Sequence, residues 1–134
     1  MNNLADKTIE FLNERRFGVL ATINADGSPQ QSTVWYELQG DRIMMNTRVG
    51  RLKEKNLKRD PRVSLCIEDG YDYVAIKGTV ELNYDHDRSQ ADIKALAVRY
   101  EGEEHAERRA QEVWSKQERV SIYMTIEKVF AYSE

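Results

Sequence analysis

The sequence predicts an α+β domain that consists mainly of antiparallel β-strands. Three observations lead to this prediction: short segments that alternate apolar and polar residues, glycine-containing turns between consecutive segments, and helical segments between the runs of strands. Six short antiparallel strands favour a closed barrel. The 134 residues contain no internal repeat, low-complexity stretch or linker, so we predict one domain over residues 1–134.

Six segments have the alternation and composition of strands. They are residues 18–23, 31–38, 42–47, 63–68, 73–83 and 120–126, the last followed by a short apolar stretch at 129–132. Asp26-Gly27 is a strong signal for a hairpin turn after the first strand. Lys77-Gly78 marks either a bulge or a close approach of two backbones.

Four segments have the period or composition of helices. They are residues 4–16, 50–60, 87–100 and a shorter one that contains Ala106, Ala110, Val113 and Trp114. Asn2 or Asn3 is predicted to cap the first helix, and Asp85 or Asp87 the third. Gly102 is expected to end the third helix.

The most informative stretch is the junction between the third strand and the second helix. Asn46 and Thr47 end the strand, Gly50 permits an unusual backbone angle, and the helix follows at once. Free N–H groups and the positive end of the dipole make a helix N-terminus a natural phosphate site. Arg51 adds a bidentate fork and Lys53 a point charge. The pattern therefore predicts a phosphate held at this junction.

Two other interpretations of this basic segment stay open on pattern alone. A helix rich in lysine and arginine is also typical of a solvated surface. A nucleic-acid patch is disfavoured, because Glu54 and Asp60 interrupt the seven basic residues between Arg48 and Arg62. No aromatic side chain is interleaved there for base stacking.

Composition excludes several classes of partner. The chain has 23 acidic and 20 basic residues, so it has no general attraction to nucleic acid or to an anionic membrane. Its apolar runs are too short to span a bilayer, and its polar N-terminus does not resemble a signal peptide. Cys66, the single cysteine, cannot form an internal disulfide. We expect a cytoplasmic protein with no membrane or nucleic-acid partner.

The sequence contains no pattern typical of direct catalysis by side chains. His86 and His105 lack metal-ligand spacing to cysteine or to another histidine. No serine–histidine–aspartate order, Walker loop or dinucleotide fingerprint is present. We therefore expect no metal site and no catalytic side chain, and an enzyme of this kind needs a cofactor for its chemistry.

Several motifs resemble those of the pyridoxamine-5′-phosphate-oxidase-like split barrels. Residues 18–22, Asp26-Gly27-Ser28-Pro29 and Val34-Trp35-Tyr36 resemble the first hairpin of that family. The stretch from Asn46-Thr47 to residues 60–65 is similar to its phosphate-binding strand–helix–strand. Residues 76–80 and the closing strand keep the family order. The resemblance spans nearly the whole chain and is most specific between residues 18 and 66.

The resemblance implies a six-stranded split β-barrel with helical insertions, and a homodimer with two cofactor sites between its subunits. The spacing of residues 29–35 is most similar to the branch that uses the deazaflavin coenzyme F-420. It implies an oxidoreductase that passes a hydride to an unsaturated small molecule. The cofactor-binding residues that it implies are Gln31, Ser32, Thr33 and Val34 along the ring, and Asn46, Thr47, Arg51, Lys53 and Asn56 at the phosphate.

The chain departs from the family pattern at two positions. Thr33 stands where that branch commonly has proline, and Gln31 where it has an apolar residue. Gln31 also falls near the place of a cofactor-contacting arginine in the oxidases proper. Nothing in the sequence resembles their C-terminal pyridoxal-phosphate segment, so we do not expect vitamin B6 oxidation. The alternatives are an FMN-binding reductase of the same fold and a non-enzymatic flavin- or haem-binding protein.

Aromatic residues give separate support for a dimer. Trp35, Tyr73, Tyr123 and Tyr132 are more large rings on strands than one small barrel needs inside. Each alone is more often a core residue, but aromatics are enriched at subunit interfaces.

Overall fold

The computed structural model describes residues 4–133, which combine a seven-stranded antiparallel sheet with four α-helices. The strands are β1 Gly18–Ile23, β2 Pro29–Val34, β3 Glu37–Gln39, β4 Arg42–Arg48, β5 Arg62–Asp69, β6 Asp72–Asn83 and β7 Arg119–Tyr132. The helices are α1 Asp6–Asn13, α2 Leu52–Arg59, α3 His86–Glu101 and α4 Glu103–Glu112, followed by a 3₁₀ turn, Trp114–Lys116. None of these helices has the length and apolar character needed to cross a bilayer.

The strands pair in the order β2-β1-β5-β6-β7-β4-β3, and every pairing is antiparallel. β7 lies between β6 and β4, so the start of β7 meets the end of β4. There Arg48 is opposite Arg119, and the N–H of Val49 donates to the Glu118 carbonyl at 2.9 Å. This junction leads directly into α2.

Side chains alternate between the two faces of each strand, so one face of the sheet packs into a common core. Its fully buried members include Leu20, Ile43, Met45, Leu65, Ile67, Ile76, Ile122 and Met124. Burial of one such side chain stabilises the fold by about 1.5–3 kcal/mol. A second cluster joins α3 to α4 through Ile93, Ala97, Ala106 and Trp114. The helical insertion therefore has its own packing, and it covers one end of the sheet.

The sheet has seven strands rather than the predicted six because residues 31–38 do not form one strand. β2 ends at Val34, and β3 begins at Glu37. Between them Tyr36 is fully buried, and burial raises its pKa to about 12. Its hydroxyl donates to the Leu12 carbonyl at 3.0 Å, and its N–H donates to the Tyr100 hydroxyl at 3.2 Å. Contacts with distant residues thus interrupt the strand.

The helix predicted at 4–16 is shorter in the structure. α1 begins after Ala5, which makes no side-chain capping bond, and the predicted caps Asn2 and Asn3 lie outside the described residues. The guanidinium of Arg99 donates at 3.1–3.3 Å to three carbonyls at the other end, those of Leu12, Asn13 and Glu14. These bonds satisfy carbonyls that a helix end leaves free.

Other predictions in the second half of the chain are confirmed. The side chain of Asp85 caps α3 by accepting from the N–H of Arg88 at 2.9 Å. Gly102, with φ of 92°, separates α3 from α4. The closing strand is longer than predicted, because β7 runs through both the 120–126 and 129–132 segments.

Gly78 is a position where β6 and β7 approach each other closely. The register of the two strands shifts between Lys77 and Gly78, so Glu127 has no partner in the ladder. A Cβ atom on Gly78 would lie 1.9 Å from the carbonyl oxygen of Thr125. The structure therefore confirms both predictions for Lys77-Gly78, a bulge and a close approach of two backbones.

The structure separates the four aromatics that the sequence predicts on strands into two pairs, and Trp35 lies between β2 and β3. Tyr123 is 4% exposed, and Trp35 stacks on Tyr100 with 5.2 Å between the ring centroids. These two rings therefore pack against other residues of the same chain. Tyr73 and Tyr132 stack on each other at 5.7 Å, and Tyr132 stays 47% exposed.

We expect Gly78→Ala to destabilise the protein by about 3 kcal/mol or more, because the added methyl group would overlap main-chain atoms of Thr125. Urea denaturation measures the change. Gly27→Ala is the matched control. Gly27 has φ of 87° but open space around it, so only backbone strain of about 1 kcal/mol applies. Equal losses for the two variants would contradict the close approach.

Candidate anion-binding site

A cavity of about 330 Å³ lies where the end of β4, the start of α2, the start of β7 and the helical insertion meet. Its wall is formed by Thr33, Val34, Trp35, Asn46, Thr47, Arg48, Arg51, Lys53, Ile93, Leu96, Arg109, Val113, Trp114, Gln117 and Arg119. One part of the wall is apolar and aromatic, and the other is basic.

The basic part contains five cationic side chains and no carboxylate. They are Arg48, Arg51, Lys53, Arg109 and Arg119. Within residues 4–133 none of the five is engaged in an ion pair. Buried or half-buried charges normally have partners of opposite sign. Lys53, Arg109 and Arg119 are half-buried without such partners, so an anion in the cavity would be stabilised by these three charges.

Desolvation and mutual repulsion act on two of these cations. Burial, with repulsion from Arg51 and Arg119, lowers the pKa of Lys53. Burial, with repulsion from Arg51, Arg48 and Arg109, lowers the pKa of Arg119 to about 10. An anion in the cavity would counter both effects, since it stabilises the charged forms.

Hydrogen bonds to neutral groups orient Arg119. Its Nε donates to Oδ1 of Asn46 at 2.8 Å, and one terminal nitrogen donates to Oε1 of Gln117 at 2.7 Å. Neither acceptor is charged, so the guanidinium keeps its full positive charge. The remaining N–H groups of the fork are available to a ligand.

A buried polar chain holds Asn46 in turn. The amide of Asn46 donates to the Ser89 carbonyl at 2.9 Å and to the Ser121 hydroxyl at 3.4 Å. Ser121 donates to Oδ2 of Asp92 at 2.7 Å, and the Tyr123 hydroxyl donates to the same oxygen. These contacts link α3 to both strands and fix the amide that orients Arg119.

The loop before α2 is held by a buried carboxylate. Gly50 has φ of 99°, and its N–H donates to Oε1 of Glu54 at 3.0 Å. The hydroxyl of Tyr84 donates to the other Glu54 oxygen at 2.6 Å, and these bonds lower the pKa of Glu54 against the effect of burial. The Glu54 side chain fixes the loop, so Arg51 and the first turn of α2 keep one orientation.

The apolar part of the wall carries both tryptophans of the chain. Trp35 stacks on Tyr100 in nearly parallel planes, at 8°. Trp114 is 4% exposed, and the guanidinium of Arg109 lies over its ring at 5.1 Å from the centroid. The wall offers flat apolar surfaces beside cationic groups.

Six of the nine residues predicted for the site line the cavity: Thr33, Val34, Asn46, Thr47, Arg51 and Lys53. The structure therefore brings the strand residues together with the strand–helix junction. Gln31 and Ser32 lie earlier in β2 and are not part of the wall.

Asn56 also lies away from the wall, in α2. Its amide nitrogen donates to Oγ1 of Thr22 at 3.1 Å and to Oδ1 of Asn24 at 2.9 Å. Its oxygen accepts from Arg59 at 2.9 Å. This side chain, 1% exposed, anchors α2 to β1 rather than facing the cavity.

The site residues that the sequence analysis missed include Trp35, Arg48, Arg109, Trp114, Gln117 and Arg119. Arg109 belongs to a highly charged helix, which in sequence is typical of a solvated surface. Arg119 begins a strand 71 positions after Arg48, and only the β4–β7 pairing brings the two together. The one signal available in the sequence was that a basic residue, Arg119, directly precedes the apolar alternation of the closing strand.

Comparisons with known proteins agree with the fold described above. Residues 4–133 match the family model described as pyridoxamine 5′-phosphate oxidase. Rv2991, a conserved hypothetical protein from Mycobacterium tuberculosis, is similar in structure, with a TM-score of 0.82 and 26% identity over 98% of this chain and 86% of that chain.

Two further solved structures share the fold at lower identity. An F420 reductase has a TM-score of 0.77 and 24% identity, over 95% of this chain and 98% of that one. HutZ, a haem storage protein from Vibrio cholerae, has a TM-score of 0.71 and 18% identity, over 97% and 95%. Because the family model covers residues 4–133, the resemblance seen in the sequence is confirmed, and the chain belongs to the pyridoxamine 5′-phosphate oxidase family.

Proposed function

We propose that this protein is a cytoplasmic oxidoreductase that uses reduced coenzyme F-420 to transfer a hydride to an unsaturated small molecule. The observation that carries the proposal is the cavity with five cations and no carboxylate, next to the aromatic wall of Trp35 and Trp114. A deazaflavin has the matching parts, an acidic phosphate and a flat ring. The F420 reductase with the same fold agrees with this assignment.

The residues present fit the phosphate of such a cofactor. Thr47 is 5% exposed and offers a hydroxyl at the wall, while Arg51 and Lys53 supply charge from the start of α2. The first N–H groups of the helix add a positive dipole end. The bound deazaflavin would supply the hydride, so the chain needs only to hold and orient it.

The strand β2 is the surface along which we place the ring. Within residues 4–133, β2 pairs only with β1, so its other edge has main-chain N–H and C=O groups without a strand partner. Thr33 and Val34 at its end line the cavity. Hydrogen bonds from these main-chain groups would orient the ring edge.

FMN is the second candidate, because the family model is that of a flavin-using oxidase and FMN carries the same kind of phosphate. Haem storage is less compatible with this cavity. Haem iron is usually held by histidine, cysteine, methionine or tyrosine. None of these residue types belongs to the wall in the described part of the chain, and His86 and His105 lie elsewhere.

We further propose a homodimer in which the second subunit completes the cofactor site in a split β-barrel. The cavity of about 330 Å³ is at the small end of the range for cofactor pockets. Phe130 and Tyr132 on β7 are 58% and 47% exposed, which is typical of an interface.

Replacement of Arg51 and Lys53 by alanine together is expected to weaken binding of F-420 about 100-fold or more, since each hydrogen bond to a charged group contributes about 1.5 kcal/mol or more. The cofactor's own fluorescence follows the titration. Lys55→Ala, which removes an exposed cation from the same helix outside the wall, serves as the control and should leave affinity within about twofold.

The same titration with FMN, followed by flavin absorbance, separates the two candidates. Tighter binding of F-420 than of FMN supports the deazaflavin proposal, and the reverse order supports the FMN reductase. The phosphate site is wrong if neither cofactor responds to the double substitution.

Lys53→Met is expected to raise the melting temperature of the cofactor-free protein by a few degrees while it weakens cofactor binding. The lowered pKa of Lys53 means that folding disfavours the charged amine. This destabilisation is complete below the lowered pKa of Lys53, declines as the pH rises through it, and vanishes above the ordinary pKa of a lysine. Thermal unfolding at pH 7 and pH 10 tests this, and the gain from Lys53→Met should shrink at the higher pH. An equal gain at both values would contradict the explanation.

Light scattering coupled to size-exclusion chromatography should give twice the chain mass at micromolar concentration, because the proposed cofactor site is shared between subunits. The dimer should persist in the Arg51 and Lys53 double variant, which changes the cavity and not the exposed aromatic surface. A monomer that still binds F-420 tightly would exclude the shared site.

A further inference from the structure

The five cations of the cavity exceed what one phosphate needs. A phosphate monoester, as in FMN, carries a charge of about −1.5 to −2 at neutral pH, and a phosphodiester, as in F-420, carries about −1. Arg48 and Arg51 are exposed to solvent, whereas Lys53, Arg109 and Arg119 are half-buried. A phosphate held beside Thr47 and Lys53 therefore leaves the half-buried Arg109 and Arg119 without a counter-ion. Half-buried cations without counter-ions are costly, so the excess charge indicates a second anionic group.

The cations come from two different walls. Arg48, Arg51 and Lys53 lie at the β4–α2 junction, which the proposed phosphate site uses. Arg109 lies on α4, in the helical insertion, and Arg119 lies between the two walls at the start of β7. Arg109 and Arg119 are therefore placed to bind a group other than the phosphate held at Thr47.

The two arginines also retain unused donors. Nε of Arg109 is buried and has no hydrogen-bond partner among residues 4–133. Two of the five N–H groups of Arg119 donate to the neutral side chains of Asn46 and Gln117. Both guanidinium groups are held in place, Arg109 over the ring of Trp114 at 5.1 Å and Arg119 by these bonds. A planar carboxylate suits such pre-oriented forks.

We propose that Arg109 and Arg119 form a second anion subsite beside Trp114, which binds the carboxylate of the substrate. The neighbouring wall of Trp35, Ile93 and Leu96 is apolar and includes one flat aromatic ring, so the substrate class is an unsaturated or aromatic carboxylic acid. This inference rests on the proposed function, because it names the substrate of the same cavity. It adds a second anion-binding position to the same cavity, separate from that of the phosphate.

Intrinsic fluorescence gives a direct readout, since both tryptophans of the chain line the cavity. Benzoate is the probe, and benzamide, its neutral isostere, is the matched control ligand. We expect benzoate to change the fluorescence of the FMN-loaded or F-420-loaded protein, and benzamide to bind at least about tenfold more weakly, because a charged acceptor strengthens the hydrogen bonds.

Arg109→Gln should weaken benzoate binding about tenfold or more and leave the Kd of the cofactor within about twofold. Arg108→Gln is the control on the same helix, since Arg108 is exposed and does not line the cavity. Arg51→Ala should show the opposite pattern, a large loss of cofactor affinity with benzoate binding retained.

Three results would overturn the subsite: competition between benzoate and FMN for one site, equal binding of benzoate and benzamide, or no benzoate binding to any form. A loss of F-420 affinity in Arg109→Gln with benzoate binding unchanged would assign the two arginines to the cofactor and overturn the substrate assignment. If neither cofactor binds but benzoate still binds in an Arg109-dependent way, the proposed function fails and the carboxylate subsite stands.

Discussion

The register between β4 and β7 is the constraint on which the site depends. It places Arg48 directly opposite Arg119, with Thr47 and Asn46 at the next two positions of the ladder. Like charges in opposed positions destabilise an antiparallel pair, so the charges do not select this register. The buried side chains deeper in the same ladder select it, since a slip of β4 by one residue would turn Ile43 and Met45 away from the core that holds Ile122 and Met124. The core thus holds the two arginines together.

Neutral hydrogen-bond acceptors hold Arg119 in place without cancelling its positive charge. Asn46 orients Arg119 through an amide oxygen, which leaves the guanidinium charge uncompensated. A carboxylate in the place of Asn46 would form an ion pair with Arg119 and compete with an incoming anion. The buried carboxylate of this region, Asp92, is separated from Asn46 by the hydroxyl of Ser121. These polar contacts therefore fix the orientation of Arg119 and leave its positive charge without an ion-pair partner.

The parts of the site that are local in sequence could be predicted, and the parts made by distant contacts could not. Thr47, Arg51 and Lys53 lie within seven residues, so a strand–helix junction with basic residues is visible in the sequence. Arg109 has no such local signal, because its wall position depends on how α4 packs against α3. Asn56 has the chemistry of a ligand, yet its partners on β1 were not visible in the pattern. The extra strand has the same origin, since Tyr100 lies 64 residues from the break at Tyr36.

The two walls of the cavity differ in the kind of contact that holds them in place. The β4–α2 wall is part of a continuous main-chain ladder, which extends to Val49. The helical wall is attached by side chains, with the amide of Gln90 donating to the Trp114 carbonyl at 2.8 Å and to the Gln117 carbonyl at 3.2 Å. Substitutions in α4 can therefore change the helical wall while the strand register stays intact. For the proposed function, we therefore expect substrate specificity to lie in the helical insertion, because that wall can change without a change in the strand register.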